Sequence, residues 1–194
     1  MYKIVCSFAL VMFLFSCKND TKSPEAGVAP EKKELTESDK RQVNSVMTKT
    51  MMTGDLSKFS SILVTAEMVE KLSKGKGPYT VFAPSNGAWD NLPEEDFNAL
   101  LSQDNRATLK EVINNHIVDE NMDSATLVQT IKKKGSYRMK TLGGIELKAS
   151  MQGDSIMITG PGGVVSAVGN SDIMARNGVV HVLDKVLLAP KQDN

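Results

Sequence analysis

With 194 residues, the chain has room for one domain with a substantial core, but not for two ordinary ones once a targeting segment is subtracted. Its 23 Lys and Arg offset its 23 Asp and Glu, so net charge points to no polyelectrolyte partner and no nucleic acid. Two histidines and two cysteines leave little material for metal or thiol chemistry.

The chain opens "MYKIVCSFALVMFLFSCKND": Lys3, an apolar core from Ile4 to Phe15, a small residue, then Cys17 and an abrupt polar turn. That core is shorter than the roughly 20 residues of a spanning helix. "LFSC" resembles a bacterial lipobox, which implies that residues 1–16 are a lipoprotein signal peptide and that Cys17 becomes the acylated, palmitate-bearing first residue of the mature protein. Cys6 then leaves with the signal, so the mature domain has no disulfide or catalytic thiol. Several acyl chains hold firmly where one is marginal, so the membrane is contacted through this anchor alone. Lys18 rather than Asp follows the cysteine, and the expected location is the outer membrane of a diderm bacterium, on its periplasmic or surface face. Residues 17–39, "CKNDTKSPEAGVAPEKKELTESD", are too poor in apolar side chains to offset their ordering entropy and read as a linker.

The domain is expected over residues 40–190, with 191–194 as a tail. Val43, Val46 and Met47, then Leu56, Phe59, Ile62, Leu63 and Ala66, recur at helical spacing and predict amphipathic helices broken at Gly54-Asp55. "AEMVEKLS" continues helical to Gly75, and "YTVFA" is a strand closed by Pro84. Ser85 or Asn86 offers an N-cap before "GAWDNL". "PEEDFNALL" begins with proline and acids suited to a helix start, "NRATLKEVINNHIV" is a further helix, and "DSATLVQTIK" is one capped by Asp123 or Ser124. Lys132, Lys133 and Lys134 read as a solvated helix end, with a phosphate contact as the alternative.

Beyond Ser136 the text changes to strand-like runs, "SYRMKTL", "GIELKAS", "DSIMITG", "VVSAVGNSDIMA" and "GVVHVLDKVLL", separated by turn chemistry. A helical first half with one early strand, followed by hairpins, predicts an α+β fold with a mainly antiparallel sheet. The final run, launched by a tight Asn177-Gly178 turn, is apolar on both faces and should lie covered inside the sheet, which makes His181 a neutral core histidine.

Three stretches carry a family likeness. "YTVFAPSNGAW", "LKEVINNHIVD" and "NGVVHVLDKVLLAP" are similar to the first, central and closing blocks of fasciclin domains. The resemblance implies a wedge of about seven strands flanked by short helices. It marks Thr80, Phe82, Pro84, Ser85, Asn86, Asn177, Gly178, His181 and Asp184 as structural signature positions. Ser85 stands where Thr is commoner and Trp89 where Phe is, and both swaps keep the physical role. It also implies adhesion, with Asn115, His116, Val118 and Asp119 as the partner-contacting corner, and a scaffold role is the alternative for His116. In many animal members a Tyr precedes this His, and the pair is implicated in integrin-dependent adhesion; here Asn115 holds that place.

Catalytic motifs are missing. There is no G-x-S-x-G around a serine, and Ser166, the local candidate, sits in a strand-like run. His116-x-x-Asp119 alone is a poor start to a metal site, "SKGKGPYT" lacks a phosphate-loop signature, and Glu94-Glu95 sit where a helix dipole explains them. "TGPGGVVSAVG" is a hairpin loop or, alternatively, a recognition tip. The composite expectation is a cofactor-free, metal-free, non-catalytic module that binds a cell-surface or matrix protein or a glycan. The alternative is an extracytoplasmic carrier of a small apolar ligand, motivated by Met47, Met51, Met52, Met68 and Met122.

Overall fold

The computed structural model describes residues 43–188 together with Thr36, Asp39 and Lys40. The signal peptide, Cys17, nearly all of the linker and the tail lie outside the described residues.

Three helical segments open the domain. Ser45 caps α1 (Val46–Met52) by accepting from Thr48 N at 3.2 Å. The expected break at Gly54-Asp55 is a 3₁₀ turn, Gly54–Leu56, which leads into α2 (Ser57–Thr65). Val46, Met47, Leu56, Phe59, Ile62 and Leu63 are buried as their spacing requires, whereas Val43 is exposed. "AEMVEKLS" is not one continuous helix. Glu67 takes φ 58 and Met68 N donates back to Leu63 O at 2.9 Å, a Schellman-type closure that ends α2 before α3 (Val69–Lys74) begins.

The first strand, β1 (Tyr79–Pro84), is buried throughout. Ser85, not Asn86, caps α4 (Asn86–Asp90) by accepting from Ala88 N at 3.1 Å. Then come α5 (Glu94–Leu101), with Glu94, Glu95 and Asp96 in its first turn behind Pro93, α6 (Arg106–Asn114), and the two-residue strand β2 (Ile117–Val118). Asp123 caps α7 (Ser124–Lys134), which stops at Gly135 with φ 79. The strands β3 (Tyr137–Lys140), β4 (Glu146–Gln152), β5 (Ser155–Thr159), β6 (Val165–Ala167), β7 (Ile173–Ala175) and β8 (Gly178–Leu183) follow.

They form two four-stranded sheets, ordered β2-β1-β8-β7 and β3-β4-β5-β6. The fold is α+β, and every pairing is antiparallel except β1 with β8, a parallel pair at the centre of the first sheet. Isolated bridges, Val118 to Thr141 and Val168 to Leu183, join the two sheets.

Two expectations about the strands are corrected. "VVSAVGNSDIMA" is two strands in different sheets, because Gly169 N donates to Val182 O and Val182 N to Asn170 O, which pulls the connection across β8. The last strand ends at Leu183 instead of running on, because the Asp184 carboxylate accepts from Ala167 N and Ser166 Oγ, each at 2.8 Å. The alternation outlives the strand, with Val186 in one core and Leu187 in the other.

Two cores result. Val81, Ala83, Val180 and Val182 face the helical layer and pack with Phe59, Leu63, Trp89, Leu109 and Ile113. Phe82 and Leu183 face the space between the sheets and α7, among Leu127, Ile131, Met139, Leu147, Ala149 and Ile158. The central strands are therefore covered on both sides, as the two apolar faces of β8 predicted for that strand. Trp89 fills its pocket with its ring 6.0 Å from Phe97, but its indole N–H finds no acceptor among the described residues.

Candidate functional site

His116 follows α6 directly, where the chain turns into β2. It is 0% exposed, with its ring 6.3 Å from that of Phe59. Nδ1–H donates to Val112 O at 2.8 Å, which leaves the lone pair of Nε2 to accept from Leu187 N at 3.0 Å. Its carbonyl accepts from Phe82 N at 2.8 Å. The central, first and closing sequence blocks thus meet on one residue.

The expectation of a partner-contacting corner at Asn115, His116, Val118 and Asp119 is corrected in large part. Asn115, His116 and Val118 are buried, and Asp119 alone of the four is exposed. Asn115 is tucked under the β3–β4 turn, where its Oδ1 accepts from Thr141 Oγ1 at 3.4 Å and Gly143 has no Cβ to collide with it.

Burial strips water from the imidazolium and pushes His116 down from 6.5 to about 4, with the Val112 carbonyl pulling weakly the other way. Because the unfolded chain binds that proton first, the stability contributed by neutral His116 is complete above pH 6.5 and is lost as pH falls toward about 4. Each pH unit of lowered affinity is worth about 1.4 kcal/mol, so the domain should lose about 2 kcal/mol between pH 7 and 5, above the range where carboxylates titrate. Denaturation curves across that window test this; a flat profile would show that His116 takes up its proton in the folded domain.

His181 occupies the other core and is also 0% exposed, stacked on Phe82 with centroids 5.6 Å apart and planes 26° from parallel. Nε2–H donates to Met122 O at 2.7 Å, and Nδ1 accepts from Asp172 N at 3.4 Å. Burial lowers its proton affinity, opposed by the Met122 carbonyl and by Asp172 and Asp123. Thr80 bolts down the same loop, as Oγ1 donates to Glu120 O at 2.6 Å and accepts from Met122 N at 2.9 Å. Tyr137 OH donates to Glu120 Oε2 at 2.7 Å, which holds the phenol above its usual range.

The remaining signature polar residues act as brackets. Asn86 accepts from Lys58 N at 2.9 Å and from Ser57 Oγ at 3.2 Å, and donates to Gly54 O at 3.0 Å, so it caps α2, whose own N-cap residue Leu56 supplies no acceptor. Ser166 is 0% exposed; its hydroxyl donates to Asp184 at 2.8 Å and accepts from Lys185 N at 3.0 Å, so it joins β6 to the end of β8. Asn177 is 1% exposed, and its amide accepts from Val46 N at 2.9 Å and donates to Leu72 O at 3.0 Å and Gly75 O at 3.1 Å. Asn177 therefore ties α1 and α3 to the sheet and does not adopt the positive φ of a tight Asn-Gly turn. Spacing carries no signal for such cross-chain partners.

Among the described residues no group of three or more His, Cys, Asp or Glu converges as a metal site would require. Open grooves mark the surface of the described residues. One of about 360 Å³ lies between α2 and α5 beside Ile62, Phe97 and Leu101, and one of about 510 Å³ lies beside Leu92, Val164, Val186 and Leu188. The methionines that suggested a carrier line neither: Met47, Met68 and Met122 are core, and Met51 and Met52 are exposed.

Fold and site together define a two-sheet α+β domain with a helical layer, whose histidines join the chain to itself. Its central block, first block and closing block are one packed unit. The chain belongs to the fasciclin domain family, which matches residues 54–189. It is 32% identical over 125 residues to the transforming growth factor-beta-induced protein ig-h3 of Sus scrofa, covering 64% of this chain and 16% of that one. It is 31% identical over 125 residues to protein sll1483 of Synechocystis, covering 64% of this chain and 62% of the relative. A solved fasciclin-domain pair from the insect cell adhesion molecule Fasciclin I superposes with a TM-score of 0.66 at 20% identity, over 75% of this chain and 51% of that one.

Proposed function

We propose that this protein is a non-catalytic binding module, tethered to the bacterial envelope through an acylated Cys17, that recognises a cell-surface or matrix protein or a glycan with the surface of its fasciclin domain. The observation that carries the reading is the state of the two histidines: each is fully buried and has both ring nitrogens committed to backbone partners. A general base must reach a substrate proton, and neither ring can. The adhesion role named for the insect protein supports the same reading, as does the lipobox-like "LFSC" behind an apolar run for tethering. The outer membrane of a diderm bacterium is the proposed location.

The test is binding of the full chain to immobilised matrix proteins, envelope polysaccharides and extracts of the cell's own surface. Saturable binding to one class, with Cys17→Ser releasing the protein from the membrane fraction and abolishing palmitate labelling, is the expected result. A chain that binds nothing on the panel, or that stays membrane-bound without Cys17, would sink the corresponding half of the proposal.

A further inference from the structure

The second sheet has one face on the core and one in water. Met139, Leu147, Ala149, Ile156 and Ile158 point inward, and the residues alternating with them, Arg138, Lys140, Glu146 and Lys148 among them, point out and are exposed. Along this part of the chain charge is segregated. Residues 132–148 hold Lys132, Lys133, Lys134, Arg138, Lys140 and Lys148 against a single acid, Glu146, in a chain whose net charge is +0. The rest of the chain is therefore net acidic, and three of these cations, Arg138, Lys140 and Lys148, share the outer face of β3 and β4.

Register brings them together. Arg138 stands directly opposite Lys148, and Lys140 opposite Glu146. Directly opposed side chains on one sheet face lie about 5 Å apart at Cβ, and like charges in that arrangement repel. Glu146 is the one acid available, and Arg138 Nη1 donates to its Oε2 at 3.0 Å. Both side chains are more than half exposed, so the pair is loose and exchangeable. Neither Lys140 nor Lys148 makes an ion pair among the described residues. The lysine-rich end of α7 belongs to the core side of the sheet, where Lys134 Nζ lies 5.2 Å over the ring of Tyr137, which packs with the inward residues. The rest of the outward face is mixed, with Thr159 in register beside Lys148, Ser150 in the next outward row, Met157 beside Ser150 and Val165 beside Thr159.

We infer that the outer face of β3 and β4 is a binding site for an acidic polysaccharide. An opposed like-charge pair on an otherwise ordinary sheet is relieved by an anion lying across it. Hydroxyls beside the cations suit a polymer that presents both acidic groups and hydroxyls. Nucleic acid is a poorer match, because the outward residues of β3 and β4 include no aromatic ring on which a base could stack. The inference rests on the binding-module reading and names the ligand class and site for it.

The full chain is tested against heparin and polygalacturonate as sulfated and carboxylated probes, with neutral dextran, single-stranded DNA and phosphatidylglycerol vesicles as comparisons. Wild type should bind both acidic glycans saturably and ignore dextran. Arg138→Gln with Lys148→Gln should weaken glycan binding about tenfold at physiological salt and lower the slope of log affinity against log salt by about two, as loss of two counterion-releasing contacts requires. Lys71→Gln with Lys110→Gln, two exposed cations elsewhere, should change neither. Equal losses in the two double variants would reduce the effect to general charge, and stronger binding to DNA or vesicles would assign the face to another class; either overturns the inference. So does the absence of glycan binding by wild type. A panel partner whose binding survives R138Q/K148Q would leave the binding-module reading standing without this site, whereas a panel with no partner removes the reading itself.

Discussion

Gly178→Ala should abolish folding. Gly178 has φ 152 and pairs with Tyr79 where β8 starts beside β1, and a Cβ there would sit 1.9 Å from Tyr79 O and 2.8 Å from Tyr79 N. Those are backbone atoms of the central parallel pair, so no side-chain rotation relieves the contact, and separating the strands would break the pairing that carries both cores. A cost above about 4 kcal/mol, close to the whole stability of a domain at the lower end of the usual range of about 5–15 kcal/mol, is expected. The soluble yield and urea denaturation of the variant measure it. Gly144→Ala is the comparison: φ is also positive there, at 88, but nothing lies within 4 Å, so only the left-handed strain of about 1–2 kcal/mol applies. A Gly178→Ala protein that unfolds cooperatively within about 1 kcal/mol of wild type would refute the close-approach account.

Asn177→Ala should cost about 4 kcal/mol and lower Tm by roughly 8–16 °C. The amide serves the first N–H of α1, from Val46, and the carbonyls of Leu72 at the end of α3 and Gly75 just beyond it. All three are groups that a helix end leaves without an intrahelical partner. Truncation would orphan them where water cannot enter easily, at about 1–3 kcal/mol each before relaxation. Asn177→Asp should do no better despite its matching shape, because a carboxylate accepts from Val46 but repels the two carbonyls. If either variant melted within about 2 °C of wild type, the bracket would contribute less than its geometry implies.

The element types were legible along most of the chain because they depend on local periodicity. Helical spacing from Val46 to Leu63, caps at Ser85 and Asp123, and alternation from Arg138 to Ile158 each report a preference that the chain expresses before it folds. The failures have a common cause. Glu67 ends α2 without glycine, and "VVSAVGNSDIMA" divides between sheets because Gly169 and Asn170 bond to β8. In both places a tertiary or closing hydrogen bond decides against the local pattern.

For the site, the residue names were readable and their roles were not. His116, Asn115, Asn86 and Asn177 all stand out by likeness, yet all four hydrogen-bond across 26 or more positions of chain, and two of them, Asn115 and His116, are expected at a surface they do not reach. By itself, the sequence determined the α+β class, the two-faced burial of β8 and, through the likeness of its three blocks, the family, because each follows from periodicity or from residue order along the chain. Tertiary structure alone decided that His116 is sealed between Val112 and Leu187 and that Asn177 joins two helices to the sheet. It also decided that Arg138 faces Lys148. Burial and pairing between distant segments depend on register and packing, which no local spacing encodes.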